Sequence, residues 1–217
     1  MAGYKTNETS FSALTYRLLS EPHQFRKLQQ EIHAHFDSLD EITGDRLLRL
    51  PFLNGCVQES LRLLPPLAGK FMSRRSPGTT IEGIYVPFGT QVYAEAYTMQ
   101  RSPMYWHAPD EFRPERWYER GEGSPFAGDV HEAYKPFSSG PRTCLGREMA
   151  LQTLRLTVAK LAFKYDIDMV NKDTFLWERD TGSAALYSKY KIMARIAEHK
   201  EAKEGTQPEQ SGIAMTA

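Results

Sequence analysis

The stretch from Pro136 to Gly146, PFSSGPRTCLG, constrains this chain more than any other part of it. It is a loop by composition, it carries a cysteine between two glycines, and it runs into apolar residues at helical spacing from Leu145 to Phe163. The fold must therefore place one thiol at a loop-to-helix junction. Thiolate is a soft ligand that suits zinc, copper(I), iron-sulfur clusters or haem iron. Zinc and cluster sites need several ligands, and neither a CxxC pair nor a histidine cluster stands beside Cys144. An axial thiolate on a haem needs one cysteine.

The neighbours of Cys144 fit that use. Gly140 and Gly146 lack a Cβ, so the backbone on either side of the sulfur can turn sharply and approach a flat macrocycle. The start of a helix, where unpaired N–H groups gather, stabilises a thiolate. Arg142 offers a guanidinium to a haem propionate, and Phe137 an apolar shield for the sulfur. On the cysteine alone, a buried free thiol in a loop is the competing reading.

The full pattern is more specific. FSSGPRTCLG resembles the FxxGxRxCxG signature of the cytochrome P450 haem-thiolate family, matched at Phe137, Gly140, Arg142, Cys144 and Gly146. At ordinary residue frequencies these fixed positions coincide roughly once in a million windows or fewer. The resemblance extends over residues 1–197, through further motifs in the order the family has them.

The first is at the N-terminus, where phenylalanine and leucine at helical spacing (Phe11, Leu14, Leu18, Leu19) predict a helix over 1–19. The family's central helix carries (Ala/Gly)-Gly-x-(Asp/Glu)-Thr, matched here at Ala2, Gly3 and Thr6, with Lys5 where the acid is expected. The resemblance implies that Gly3 opens the helix and that Thr6 relays protons. Lys5 puts proton delivery in doubt, because a charged ammonium donates but does not accept. A second helix is predicted from Pro22, capped by Ser20, with Phe25, Leu28, Ile32 and Phe36 on one face and His23, His33 and His35 toward solvent.

A third helix opens at Leu50 and Pro51 and ends at Pro65. Glu59 and Arg62 lie on it three residues apart, and alone they read as a solvated salt bridge. The resemblance makes them an ExxR pair, joined by Arg116 of FRPERW into a structural triad with a bidentate guanidinium on each side of the carboxylate. Residues 71–92 alternate between turn residues and β-formers and predict a small antiparallel sheet. The resemblance makes Arg74 a second propionate partner, with Arg75 competing for the role, and puts residues 67–71 beside substrate. The segment Arg101 to Trp117 reads as proline-rich loop, and Asp166 to Ala197 as a terminal sheet. Cys56 reads as a small packed hydrophobe inside its helix.

Composition removes other classes of function. The chain has 217 residues, 41% of them hydrophobic, with Lys plus Arg and Asp plus Glu balanced at 27 each, so no basic footprint for nucleic acid exists. No apolar run is long enough to span a bilayer. Two cysteines make no disulfide framework and point to a reducing compartment or surface.

The expected fold is therefore mainly α with small antiparallel β-sheets, the C-terminal half of the cytochrome P450 fold over residues 1–197, followed by a polar, disordered tail over 198–217. The resemblance is to eukaryotic, especially fungal, microsomal members and implies a haem-thiolate monooxygenase with haem b as cofactor. It implies O2 and a lipophilic small molecule as substrates, possible use in secondary metabolism, and electrons from NADPH through NADPH-cytochrome P450 reductase. The family's place is the cytoplasmic face of the endoplasmic reticulum membrane, and the anchor is expected in an N-terminal part that this chain lacks. A haem-thiolate isomerase or dehydratase that takes no external electrons, and a truncated non-catalytic product, are the alternatives.

Overall fold

The computed structural model describes residues 2–68, 73–183, 187–188, 191–199 and 213–216. Its helices are α1 (Ala2–Ser20), α2 (Pro22–His33), the short α3 (Gly44–Leu47), α4 (Pro51–Leu63), the short α5 (Ala96–Met99), α6 (Arg147–Lys164) and the short α7 (Trp177–Asp180). The core lies where α1, α2, α4 and α6 pack on one another. From α1 it takes Ala13, Leu14, Leu18 and Leu19, and from α6 Leu151, Leu154, Val158 and Ala162. From α2 it takes Phe25, Leu28 and Ile32, followed by Phe36 just past the helix. Each such side chain contributes about 1.5–3 kcal/mol when fully withdrawn from water.

Helix α2 begins with Pro22 at a position where a missing N–H costs nothing. The residue before it is Glu21, which makes no side-chain cap. Ser20, expected as that cap, is instead the last residue of α1, whose hydrogen-bond ladder runs one residue past its last apolar position. His23 and His35 are exposed as expected. His33 is not on the solvent face: its ring is half-buried between Phe163, 4.9 Å away, and His199, 4.7 Å away.

Helix α4 is buried on nearly every side. Such a helix needs its end groups satisfied inside the protein. Its first amides are capped from α2: Glu31 accepts the N–H of Phe52 at 2.8 Å and of Leu53 at 2.7 Å. A carboxylate at the positive end of the helix dipole adds favourable electrostatics. On its other side α4 meets the segment around a 3-10 turn, Pro114–Trp117. The approach is so close that a Cβ on Gly55 would lie 2.5 Å from the Pro114 carbonyl oxygen. Glycine is required there by space.

The strands are short and antiparallel. Strand β1 (Ser73–Arg75) pairs with β4 (Gln91–Tyr93), and between them β2 (Thr79–Ile81) and β3 (Ile84–Val86) form a hairpin. The hairpin turns through Glu82 and Gly83, both at positive φ, as a two-residue turn of this hand demands. Beyond α6, β5 (Tyr165–Met169) leads into the terminal strands β6 (Gly182–Ser183), β7 (Tyr187–Ser188), β8 (Met193–Glu198) and β9 (Ile213–Thr216). They pair in the order β5-β8-β9, with β6 against β7. The mainly helical architecture with small antiparallel sheets agrees with the sequence reading. Within the segment expected to be a polar tail, Ile213–Thr216 pair with β8, and residues 200–212 and 217 lie outside the described residues.

Candidate functional site

The cysteine loop is held by its own backbone. Lys135 O accepts the amide of Ser138 at 3.1 Å, Gly140 O accepts that of Thr143 at 3.0 Å, and Phe137 O accepts that of Cys144 at 2.9 Å. The last of these closes the loop and hangs the cysteine from Phe137. Gly140 has φ +67°, so the glycine there supplies a left-handed residue. Gly146 has ordinary backbone at φ −88°, and a Cβ there would make only ordinary contact, 3.9 Å from Cys144 Sγ. The helix begins later than the sequence suggests, with Gly146 as N-cap and Arg147 first in α6, so Cys144 lies two residues ahead of the cap.

Cys144 is exposed. Next to it in the chain Leu145 is fully exposed, and on α6 Met149 is 66% exposed, although both fall within the apolar helical spacing read from the sequence. A soft thiol next in the chain to an uncovered apolar side chain is the donor chemistry that an apolar macrocycle with an iron centre would meet. Arg142 is exposed and has no hydrogen-bond partner among the described residues. Phe137 packs its half-buried ring against the core and so anchors the loop.

Behind the loop lies a buried charge network. Glu59, Arg62 and Arg116 have fully buried side chains. Arg62 grips Glu59 with both prongs, Nε to Oε2 at 2.9 Å and Nη2 to Oε1 at 2.9 Å. Arg116 donates Nε to Oε1 at 2.8 Å. Its remaining prongs go elsewhere, Nη1 to Asp129 and Nη2 to the carbonyls of His107 and Ala108 at 3.0 and 3.2 Å. The second guanidinium is therefore not bidentate on Glu59, as the sequence reading had it, because Asp129 competes for it. Burial pushes the Glu59 carboxyl up, but Arg62, Arg116 and the Arg113 amide outweigh burial and hold it below the usual carboxylate range.

The network is wider than the triad. Trp117 donates Nε1 to Glu59 Oε2 at 2.9 Å, and the Arg113 amide donates to Oε1 at 3.0 Å. Arg62 Nη1 reaches the carbonyls of Gln100 and Pro109, both at 2.6 Å. Trp106 lies against both guanidinium groups, 5.2 Å from Arg62 and 5.7 Å from Arg116. The sequence reading missed Trp117, although it was findable there: an indole follows Arg116 directly, and a buried indole needs an acceptor. Asp129 was not, because no fixed spacing ties it to Arg116.

Thr6 is half-buried on α1, and its hydroxyl donates to Gly3 O at 3.1 Å. Lys5 pairs with Glu8 at 2.8 Å, which puts a carboxylate one turn along the helix. Position 3 is open, with no atom within 4 Å of where a Cβ would stand. Gly3 also lines an apolar groove of about 460 Å³ between α1 and α6, together with Phe11, Met149 and Leu154. Arg74 and Arg75 are both exposed on β1 and, as neighbours in a strand, project to opposite faces. Arg74 Nη1 donates to Ser73 O at 2.7 Å, and Arg75 Nη1 to Gly89 O at 3.3 Å. No hydrogen bond among the described residues joins Thr6 or Arg74 to the cysteine loop. Of the segment read as lying beside substrate, residues 69–71 are outside the described residues.

The sequence profile of the Cytochrome P450 family matches residues 1–193. The sesterfisheric acid synthase of Neosartorya fischeri is 69% identical over 198 residues, covering 91% of this chain and 36% of that protein. The cytochrome P450 monooxygenase FUP2 of Fusarium proliferatum is 47% identical over 196 residues, 90% of this chain and 38% of its own length. The cytochrome P450 monooxygenase btcB of Colletotrichum orbiculare is 46% identical over 196 residues, 90% of this chain and 36% of its own length. The chain thus spans little more than a third of these relatives.

Proposed function

This chain belongs to the cytochrome P450 family, and from that premise we propose that it forms the thiolate-bearing part of a monooxygenase acting on a lipophilic small molecule in fungal secondary metabolism. One atom of O2 enters a C–H bond of the substrate and the other leaves as water, with two electrons and two protons supplied. The family's cofactor is haem, and bound haem supplies the iron at which O2 is activated. The single observation that carries the reading is the exposed Cys144, whose backbone amide donates to the Phe137 carbonyl, next in the chain to the uncovered Leu145 and in a loop backed by a buried charge network.

Each residue then has a proposed task. Cys144 would hold the haem iron through its thiolate. Gly140 turns the loop and Gly146 is the N-cap of α6. Arg142 and Arg74 pair with the propionates, for which Arg142 is free of competing partners among the described residues. Phe137 fixes the loop to the core. Glu59, Arg62 and Arg116 are structural and hold the segments on which the loop rests. Thr6 holds and passes a proton at its Oγ1, with Glu8 as the nearest carboxylate on the same helix through its pair with Lys5.

We further propose NADPH as electron source through NADPH-cytochrome P450 reductase, and the cytoplasmic face of the endoplasmic reticulum as location. No helix among the described residues is long and apolar enough to cross a membrane. The Neosartorya fischeri relative is named for making sesterfisheric acid, so formation of that acid is the first activity to assay. The test is turnover of the haem-loaded protein with candidate substrate in the presence and absence of NADPH and reductase. Strict dependence on both, with one substrate oxygen derived from O2, is expected. Turnover without electrons would replace this reading with an isomerase or dehydratase.

A further inference from the structure

Gln100 is fully buried, and its four polar atoms are all engaged. Its own N–H continues the turn of α5 by donating to Ala96 O at 2.9 Å, and its carbonyl accepts Arg62 Nη1 at 2.6 Å. Its side-chain Nε2 donates to Leu61 O at 3.2 Å and to Arg62 O at 3.0 Å. Those two carbonyls belong to the last turn of α4, where a helix has no partners of its own for its acceptors. Its Oε1 accepts the amide of Lys135 at 3.2 Å.

Lys135 is the residue at which the cysteine loop begins. Pro136, next in the chain, has no N–H, so the Lys135 amide is the last backbone donor before the loop. Lys135 O then accepts the Ser138 amide, and Phe137 O accepts the Cys144 amide. A short run of hydrogen bonds therefore leads from the charged end of α4, through one glutamine, to the backbone that carries the sulfur.

We propose that Gln100 is a positioning residue for Cys144: it fixes where the loop starts relative to Arg62 and so sets where the thiol is held. The proposal rests on the reading of Cys144 as the ligand. It gives the charge network a route to the thiol that none of its charged members supplies, since among the described residues no side chain of Glu59, Arg62 or Arg116 bonds to residues 135–146. A second tie, Tyr134 Oη to Gln58 Oε1 at 2.7 Å, fixes the preceding residue to α4 but leaves the Lys135 amide to Gln100.

The test is Gln100→Met, which keeps an unbranched buried side chain and removes both ties. Amide hydrogen exchange is followed residue by residue, and the carbon monoxide spectrum of the reduced, haem-loaded protein is recorded. Exchange at Lys135, Ser138 and Cys144 is expected to quicken by about tenfold, the equivalent of one net hydrogen bond. Amides of the β5-β8 pair are expected to be unchanged, and the spectrum to divide between thiolate and neutral-ligand forms. Unchanged exchange in the loop of a folded variant overturns the proposal, as does equal quickening throughout the chain, which marks a merely structural core residue. If the variant does not fold, exchange in the unsubstituted protein decides: protection of the Lys135 amide on a par with the Arg113 amide supports the tie, and exchange at the rate of an unstructured amide overturns it. The exchange readout needs no haem. A chain that shows the local effect yet binds no haem refutes the proposed function and leaves the tie standing.

Discussion

Replacing Glu59 by glutamine keeps the shape of the side chain and removes only its charge and one acceptor. The carboxylate takes N–H groups from Arg62 Nε and Trp117 Nε1 on Oε2, and from Arg62 Nη2, Arg116 Nε and the Arg113 amide on Oε1. A glutamine NH2 in place of Oε2 therefore faces two donors, and in place of Oε1 it faces three. The better orientation still forfeits two hydrogen bonds to buried donors, at about 1.5–3 kcal/mol each when one partner is charged. The independent estimate, from breaking one side of a buried ion pair, is about 3–5 kcal/mol. The two agree, and either is a large part of a domain's roughly 5–15 kcal/mol. Equilibrium unfolding in guanidinium chloride, followed by circular dichroism, measures the loss directly, and haem per protein measures its consequence. We expect a loss of about 3–5 kcal/mol and failure to retain haem. The double substitution Glu59→Gln with Arg62→Met should cost less than the two singles added, because it leaves no unpaired cation beside the missing charge. A folded Glu59→Gln protein with under about 1 kcal/mol lost and normal haem content would refute the argument that this network holds the loop.

Other consequences are open to measurement. Gly55→Ala drives a Cβ to 2.5 Å from a backbone oxygen that cannot swing away, so the denaturation midpoint should fall by the equivalent of about 1–3 kcal/mol, and an unchanged midpoint would contradict the close packing. His131 is lowered from 6.5, first by burial and then by the cations of Arg120 and Arg116, with both ring nitrogens lacking partners among the described residues. The unfolded chain then binds the extra proton first, so stability present above the ordinary histidine range should decline as pH falls from about 6.5 toward the depressed value, and His131→Phe should flatten that slope. Thr6→Ala should lower kcat by about 100-fold or more with haem content unchanged, and an unaltered rate would remove Thr6 from the proton path.

The parts of the site that follow a fixed local spacing were legible in the sequence. ExxR lies on α4, FxxGxRxCxG is one continuous stretch ending at the N-cap of α6, and FRPERW places a third charge where a proline-led turn delivers it against Gly55. What was not legible comes from distant chain meeting distant chain. Asp129 reaches Arg116, Glu31 caps α4 from α2, and Gln100 ties α4 to Lys135, and none of these has a spacing that announces it. Periodicity also cannot tell an apolar side chain that packs in the core from one that is left exposed. Leu145, next to Cys144 in the chain, and Met149 on α6 obeyed the helical pattern and yet stand uncovered. The solvent-facing reading of His33 failed for a related reason: its cover comes from Phe163 and His199, far along the chain.

The central claim is that Cys144 would be the residue whose thiolate holds the haem iron, and the carbon monoxide spectrum of the reduced, haem-loaded protein tests it most directly. Cys56 is buried with its thiol pushed up by burial, so Cys144 is the exposed thiol able to meet a metal. The unsubstituted protein should show the thiolate-type band and Cys144→Ala should lose it, while Cys56→Ala keeps it. A thiolate-type band that survives in Cys144→Ala would contradict the account.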